Sequence, residues 1–393
     1  MELIERIKKE THAILDEIIA IRRHIHQNPE LSFEEFETSA FIANKLTEWN
    51  ISHQTGIVKT GIVALIEPPK AVKKYIGLRA DLDALPITEL NDTDYKSRNE
   101  GVMHACGHDV HSAILLGTAK ILSELKDQLD VGIKLIFQPG EEKLPGGASL
   151  MIQEGVLENP SISEIYALHV FPELEAGKVG LKEGMYMASC DEIRMTVKGK
   201  GGHGAMPHQN IDPILIASHL IISLQQIVSR NCPPQIPSVL SFGRIEGLGA
   251  TNVIPDEVKL EGTFRTMNEE WRSEAHSKIK SQSEALVKSM GGNIDIDIQV
   301  GYPYLENDPE LTQSARKKAI AMLGEENVVD LPLRLTGEDF AYYSQKIPAT
   351  FIRVGVRNES KGIIHPVHNK RFDIDETAIA TGMQTLLAQV FIS

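Results

Sequence analysis

The chain has 393 residues, of which 42% are hydrophobic and 24% are charged, and its formal net charge at pH 7 is −14. This length suggests about two domains, and the lack of any apolar run of roughly 18 residues argues against a membrane span. The negative charge disfavours nucleic acid and anionic membranes as partners, because both require a basic face on the protein.

The amino-terminal segment MELIERIKKETHAILDEI interleaves charged and apolar residues at helical spacing. A signal peptide instead needs an uninterrupted apolar stretch and a small-residue cleavage site, so we expect a cytoplasmic protein. The three cysteines, Cys106, Cys190 and Cys232, form no even framework. Disulfide bonds are therefore not expected.

The first third of the chain alternates short apolar runs with a helical pattern. The runs at 75–79, 133–137 and 164–170 are typical of buried parallel strands. Apolar residues at helical spacing predict a helix over 110–125. This order predicts a layered α/β sheet, and such sheets bind ligands beyond the carboxyl ends of their strands.

From about Glu183 the pattern favours direct pairing of strands, and the α/β pattern returns only near the carboxyl terminus. The predicted strands in this part are 190–198, 238–245 and 257–266, and the predicted helices are 213–230, 269–290, 310–323 and 376–388. The sequence therefore predicts a smaller α+β domain inserted into a larger, discontinuous α/β domain.

The decapeptide MHACGHDVHS, residues 103–112, holds three histidines, a cysteine and an aspartate at the predicted junction between strand and helix. Other side chains of types that bind metals follow strands or lie in loops: Glu141 and Glu142 in FQPGEE, His169 in YALHVFP, and His365 and His368 in IIHPVHNK. The ends of successive strands share one rim of the sheet. The pattern therefore predicts a metal site there, with one of the two adjacent glutamates binding metal and the other facing substrate.

Each of these residues also has a simpler explanation. His169 alone fits a hydrogen-bonded core histidine, while His104 and His111 fit a loop and a helix start. Paired glutamates fit a solvated face, and Cys106 fits a small buried hydrophobe. Only their convergence on one rim favours the metal site.

Eight motifs, in the same order along nearly the whole chain, resemble the cytosolic amidohydrolase branch of the di-metal aminoacylase and carboxypeptidase superfamily, which includes hippurate hydrolases and indoleacetyl-amino-acid hydrolases. They are RRHIHQNPELSFEE, LRADLDALPI, MHACGHDVHSAILLG, FQPGEE, GKGGHGAMPH, TNVIPDEVKLEGTFR, TGEDFAYY and HPVHNKRFDID. The resemblance implies a catalytic domain of the zinc-aminopeptidase type with a layered mixed sheet, residues 1–184 and 297–393. It also implies an inserted α+β lid and dimerisation domain, residues 185–296.

The resemblance further implies which residues form the site. Glu141 would be the general base, and two divalent metal ions would be bound by Cys106, His108, Glu142, His169 and His368. Such a set leaves positions open for water, as in catalytic sites, and a metal ion lowers the pKa of water from about 15.7 toward about 7, within reach of a nearby carboxylate. Asp83 is expected to orient a ligand imidazole by accepting its other N–H, although it would also fit a loop or helix cap.

The chain departs from the broader superfamily at Asp81-Leu82-Asp83, where a strand motif usually reads His-x-Asp. Cys106 and His108 would replace the missing histidine ligand, a pattern that resembles the amidohydrolase branch rather than the dipeptidase and carboxypeptidase branches. A thiolate also favours zinc, manganese or nickel over magnesium or calcium.

The predicted lid supplies three further candidates. By resemblance, His203 in GGHGAMPH stabilises the developing oxyanion and reaches across a homodimer interface, and Asn252 in TNVIP assists it. Arg265 in LEGTFRT could bind the free carboxylate of the substrate. Without the resemblance, His203 fits a surface-loop histidine and Arg265 fits a solvated edge charge.

These observations predict metal-dependent hydrolysis of an N-acyl-amino acid, with the acyl group and the amino acid left open. Two alternatives remain at this point: a di-metal dipeptidase or carboxypeptidase, and a non-catalytic binding protein of the same fold. The complete ligand set together with Glu141 argues against the binding protein.

Overall fold

A computed structural model of the protein describes residues 2–392. Residues 1 and 393, which the predicted catalytic domain includes, lie outside this range. The chain forms two compact units, of which the first runs to Tyr186 and resumes at Glu306–Leu333 and from Asp339 onward. The second unit comprises Met187–Leu305 and Arg334–Glu338. It continues past residue 296 because the strand Asn293–Gln299 pairs within it.

The helices of the described residues largely follow the apolar periodicity of the sequence. They are α1 (Glu2–Gln27), α2 (Phe36–Glu48), α3 (His108–Glu124), α4 (Gly147–Gln153), α5 (Pro213–Gln226), α6 (Glu269–Ser289), α7 (Pro309–Leu323), α8 (Ala341–Ser344) and α9 (Ala378–Phe391). None of those helices combines the length and the apolar character that crossing a bilayer requires.

The strands of the described residues range from two to twelve residues in length. They are β1 (Ser52–Ile57), β2 (Gly61–Ile66), β3 (Tyr75–Asp81), β4 (Gly132–Gln138), β5 (Glu164–Glu175), β6 (Val179–Leu181), β7 (Gly184–Met187), β8 (Asp191–Lys198), β9 (Gly202–His203), β10 (Ser238–Glu246), β11 (Val253–Ile254), β12 (Glu257–Thr266), β13 (Asn293–Gln299), β14 (Leu305–Asn307), β15 (Val328–Asp330) and β16 (Ala349–Arg357).

The first unit is built around an eight-stranded mixed sheet in the order β1-β2-β4-β3-β5-β16-β6-β15. Its central strands β4, β3, β5 and β16 are parallel, whereas β2 and β6 run antiparallel to their neighbours β4 and β16. The central strands are almost wholly buried, which their continuous apolar runs require. The predicted layered, mixed α/β sheet is therefore confirmed.

Helix α3 lies at the centre of the helical layer, in contact with α1 and α9. Nearly all of its residues are buried, because its sequence is apolar around most of its circumference. The helix that carries His108 at its first position is thus fixed by the core of the first unit.

The second unit contains a four-stranded antiparallel sheet in the order β10-β12-β8-β13. Alternate residues of β8 are buried, and they pack with side chains of α5 and α6 in a separate core. The side chains of Asp212 and Asn268 cap the amino termini of these two helices. The predicted helix 213–230 ends earlier, at Gln226, and continues as a single π-helical turn, Ile227–Asn231.

Candidate metal centre

The candidate residues of the first unit gather at the carboxyl edge of the parallel strands. Asp83 follows β3, and Glu141 and Glu142 follow β4. His169 lies in β5, on the other side of β3 from β4. Because β3 is parallel to both neighbours, their chain directions bring these side chains to one rim.

The turn before α3 brings Cys106 and His108 to the same rim. Gly107, between them, has φ of +83°, a backbone conformation that favours glycine. A Cβ atom at Gly107 would lie 2.6 Å from Cγ2 of Val170. The Cys-Gly-His sequence therefore lets the turn approach β5 closely.

The five predicted metal ligands form two groups of donor atoms that share Cys106. One group is Cys106, His108 and His169, and the other is Cys106, Glu142 and His368; within each group the donor atoms all lie within 4.8 Å of one another. We call them the first and the second triad. His368 reaches the rim from the carboxyl-terminal segment, where its backbone N–H donates to the carbonyl of Ala105 (2.7 Å). Among residues 2–392, His365 joins neither triad.

The two histidines of the first triad have the hydrogen bonding expected of metal ligands. His108 Nδ1 lies 3.2 Å from Oδ1 of Asp83, and His169 Nδ1 donates to the carbonyl of Val170 (2.8 Å). Within the described chain His108 Nε2 has no hydrogen-bond partner although it is buried, and His169 Nε2 lies 3.4 Å from Sγ of Cys106. In both rings Nδ1 is anchored by a hydrogen bond and Nε2 faces the donor cluster, as is usual for imidazoles that bind a metal ion through Nε2.

The electrostatics of the cluster also fit a cation. Burial, followed by the charges of Glu142 and Glu141, raises the pKa of the Cys106 thiol well above its ordinary value. Although burial lowers the pKa of His108, the carboxylates of Asp81 and Asp83 raise it to about 10. Burial and the nearby Arg353 lower the pKa of His169, so this ring is neutral. The carboxylates in and around the donor cluster concentrate negative charge in a small buried space, and a divalent metal ion would compensate that charge.

Asp83 both orients His108 and caps the turn after β4. Its Oδ1 accepts the backbone N–H of Glu141 (3.1 Å), and its Oδ2 accepts that of Glu142 (2.9 Å). The hydroxyl of Ser32 donates to the same Oδ2 (2.6 Å). The imidazole contact and the loop cap, which were alternative interpretations of the sequence, are made by one carboxylate.

A buried network of hydrogen bonds lies beside the triads, and the sequence pattern does not predict it. His111 Nδ1 lies 2.6 Å from Oδ1 of Asp81, and the backbone N–H of Val170 donates to His111 Nε2 (2.9 Å). Arg79 donates to Oδ2 of Asp81 (2.5 Å). Although burial raises the pKa of Asp81, the charges of His108 and Arg79 lower it well below its ordinary value. The sequence offers a helix start as the simpler explanation of His111 and gives no sign of this contact beyond the presence of a second carboxylate in Asp81-Leu82-Asp83.

Glu141, the predicted general base, lies beside the first triad. Its carboxylate shares a donor group with His108 and Glu142, and its Oε2 is 4.0 Å from His108 Nε2. The backbone N–H of Asp339 donates to its Oε1 (3.4 Å). A buried carboxylate held this close to the ligand atoms can accept a proton from a nucleophile bound there.

The three predicted residues of the second unit lie in two places. His203 in β9 pairs with Val253 of β11, and the backbone N–H of Gly204 donates to the carbonyl of Asn252 (2.8 Å), so His203 and Asn252 are neighbours. Arg265 lies in β12, where its guanidinium donates to the carbonyl of Leu335 (3.1 Å).

A mixed α/β sheet with thiol, imidazole and carboxylate donors at the carboxyl ends of its strands is an arrangement that suits a metal-dependent hydrolase. The model for Peptidase family M20/M25/M40 matches residues 77–390, and the chain belongs to this family. The resemblance seen in the motifs is thereby confirmed, and the protein is an enzyme of the amidohydrolase type.

Individual relatives cover almost the whole chain. The chain is 42% identical over 363 residues to an N-acetyl-L-cysteine deacetylase of Bacillus subtilis, covering 92% of this chain and 85% of the relative. It is 37% identical to a thermostable carboxypeptidase of Saccharolobus solfataricus, covering 97% and 96%. Among solved structures, the YXEP protein of B. subtilis, described as a dinuclear metal binding peptidase of the M20 family, superposes with a TM-score of 0.83 at 34% identity, covering 97% of this chain and 98% of that one.

Proposed function

We propose that the protein hydrolyses the amide bond of N-acyl-amino acids with two divalent metal ions held by the two triads and with Glu141 as general base. The observation that carries this proposal is the pair of triads sharing Cys106, with Glu141 next to them. A relative named for the deacetylation of N-acetyl-L-cysteine supports the substrate class, and a neighbour described as dinuclear supports two metal ions.

The metal ions would lower the pKa of a coordinated water and polarise the amide carbonyl. Five ligands from two triads leave coordination positions open for water and substrate. The shared thiolate and the three imidazoles favour zinc, manganese or nickel over magnesium or calcium. Asp83 would fix the tautomer of His108 so that Nε2 faces the metal.

Glu141 would accept the proton of the attacking water and then deliver it to the departing amine. Its position beside His108 Nε2 suits this exchange, and one positioned carboxylate can act first as base and then as acid within a turnover. The amino acid and the carboxylic acid would leave as separate products.

In the second unit we propose that His203 stabilises the oxyanion of the tetrahedral intermediate, with Asn252 assisting. The backbone N–H of Ala205 donates to His203 Nδ1 (3.1 Å), so a neutral ring carries its proton on Nε2. The exposed Nε2–H is then a donor, which an oxyanion requires. Arg265 would bind the free carboxylate of the substrate through its planar fork, and the unit would serve as lid and dimerisation domain.

We also propose a cytoplasmic homodimer formed through the second unit. Several apolar side chains of the second unit are exposed, among them Leu215 and Ile222 of α5, Ile245 of β10 and Leu248 of the following loop, and exposed apolar patches mark interaction surfaces. Light scattering is expected to give twice the chain mass for the wild type and the monomer mass for Ile222→Glu. A monomeric wild type would contradict the homodimer.

The substrate class is tested with three compounds that share one amide bond: an N-acetyl-amino acid, the same compound as its carboxamide, and a dipeptide with a free amine. The proposal predicts that the enzyme turns over the N-acetyl-amino acid and that turnover of its carboxamide is much slower. Neither Arg265→Lys nor Arg265→Gln is expected to recover any of the lost turnover of the carboxamide. Equal turnover of the first two would exclude recognition of the carboxylate.

A second candidate function is peptide hydrolysis by the same centre. The similarity to a thermostable carboxypeptidase over almost the whole chain favours it. Faster turnover of the free-amine dipeptide than of the N-acetyl-amino acid would establish this alternative in place of the first.

A further inference from the structure

The turn that carries Glu141 and Glu142 is held by two carboxylates from outside it. Three successive backbone N–H groups, those of Gly140, Glu141 and Glu142, point to acceptors. Asp83 takes the second and third, and Oε1 of Glu35 takes the first, at 2.9 Å. Gly140 has φ of +61°, and successive N–H groups in such a turn form a concave site for negatively charged oxygens. We call residues 140–142 the carboxylate turn.

Glu35 is fully buried, although it belongs to neither triad. A buried carboxylate is costly unless it is hydrogen-bonded, and this one has three donors. Besides the Gly140 N–H, its Oε1 accepts the backbone N–H of Phe33 (2.8 Å), and its Oε2 accepts the hydroxyl of Thr60 (2.6 Å). These three hydrogen bonds offset the free-energy cost of burying the Glu35 carboxylate, and one of them comes directly from the carboxylate turn.

The segment around Glu35 contacts the carboxylate turn in two further ways. The hydroxyl of Ser32 donates to Oδ2 of Asp83, the other carboxylate that holds the turn. The ring of Phe33 lies against Gly140, where a Cβ atom would be 2.4 Å from Cζ of Phe33. Residues 32–35 come from the motif RRHIHQNPELSFEE, for which the chemistry proposed above gives no role.

We propose that Glu35 is a positioning residue, which fixes the carboxylate turn so that Glu142 meets its triad and Glu141 meets the bound nucleophile. This inference rests on the proposed function of those two glutamates. Glu35 itself acts through the backbone of Gly140 and takes no proton in the reaction. Losing its acceptor oxygen releases the Gly140 N–H and lets the turn depart from the geometry that its three hydrogen bonds fix.

Three variants of the full chain separate positioning from plain stability. Glu35→Leu keeps similar volume and removes the acceptor, Glu35→Gln keeps an acceptor oxygen for Gly140, and Thr60→Val is the matched control because it removes a buried donor from the other oxygen of the same carboxylate. Three quantities are measured: kcat and KM for an N-acetyl-amino acid, the affinity for zinc by chelator competition, and amide hydrogen exchange in the peptide that contains residues 139–142.

Glu35→Leu is expected to lower kcat about 10- to 100-fold with a smaller change in KM, to weaken zinc binding by a similar factor, and to speed exchange in the carboxylate turn. Glu35→Gln is expected to restore most of each loss. Thr60→Val is expected to lower the melting temperature while kcat and zinc affinity remain near those of the wild type. If Glu35→Leu does not fold, Glu35→Asp replaces it, because it keeps the charge but withdraws the oxygens from Gly140.

Wild-type kcat, zinc affinity and exchange in Glu35→Leu, or equal losses in Glu35→Leu and Thr60→Val, would overturn the positioning role. A wild type that binds zinc but hydrolyses no N-acyl-amino acid would instead contradict the proposed function. In that case zinc affinity and hydrogen exchange still decide whether Glu35 positions the turn.

Discussion

Replacing Asp83 by asparagine changes charge and hydrogen bonding at one point while keeping the side-chain shape. In the wild type one oxygen of Asp83 faces His108 Nδ1 and the N–H of Glu141, and the other faces the N–H of Glu142 and the Ser32 hydroxyl. An asparagine has one oxygen and one NH2 group, so one of these two sides must lose its acceptor.

Either orientation of the asparagine has a definite cost. With the NH2 group toward His108, it meets the Glu141 N–H and favours the tautomer that carries the proton on His108 Nε2, which then cannot bind a metal ion. With the NH2 group toward Glu142, it meets that backbone N–H, and the carboxylate turn loses a charged hydrogen bond. Such a bond contributes about 1.5–3 kcal/mol, so we expect metal affinity or kcat to fall about 10- to 100-fold.

The assay combines chelator competition for zinc with kcat for an N-acetyl-amino acid, and it records the thermal unfolding of the metal-free proteins. Ser32→Ala is the control, because it removes one neutral donor from Asp83 and is expected to cost only about 1 kcal/mol of stability. If Asp83→Asn bound zinc and turned over substrate as the wild type does, the assignment of Asp83 as the residue that orients His108 would be refuted.

Three further predictions follow from the same structure. Burial lowers the pKa of His104 to about 3, so below about pH 6.5 this histidine binds a proton in the unfolded protein but not in the folded protein. The free energy of unfolding is therefore expected to fall as the pH drops from about 6.5 toward 3, by up to about 1.4 kcal/mol per pH unit. Urea unfolding of His104→Phe should show a shallower pH dependence. Gly140→Ala is expected to destabilise the protein by about 2–5 kcal/mol in urea, since φ is positive and the new Cβ meets Phe33; wild-type stability would contradict the tight contact. Zinc at about a thousandfold excess over its dissociation constant should stabilise the metal-free protein by about 4 kcal/mol, and Cys106→Ala should lose most of this gain; an equal gain in the variant would show that the zinc binds elsewhere.

The rim of the sheet could be predicted because it follows from chain direction. The runs before Asp83 and Glu141, and the run that contains His169, have the continuous apolar character of buried parallel strands, and the carboxyl ends of such strands share an edge. The structure places all three residues there and brings Cys106 and His108 to them. The apolar pattern of the sequence was sufficient to locate these residues, because each of them lies on or next to a regular strand or helix.

Apart from the contact between Asp83 and His108, the supporting contacts could not be predicted, because they join residues that are distant in sequence and have no common period. His111 meets Asp81 across 30 residues and the Val170 N–H across 59. Glu35 meets Gly140 across 105 residues. The α5 boundary was misplaced for another reason, since the apolar spacing continues through the π-helical turn at Ile227–Asn231 and gives no stop signal. Hydrogen-bond networks of this kind are specified by tertiary packing, which a local pattern does not contain.

The proposed reaction depends on metal ions held by the two triads and on Glu141 as the general base. Its most direct test measures zinc, manganese and nickel content by elemental analysis, together with amino acid release from N-acyl-amino acids, for the wild type and for Glu141→Gln. We expect about two metal ions per chain in both proteins and activity only in the wild type, because Glu141→Gln keeps the shape of the site and removes the base. Full activity in Glu141→Gln, or no bound metal in an active wild type after dialysis and reconstitution, would contradict the proposed reaction.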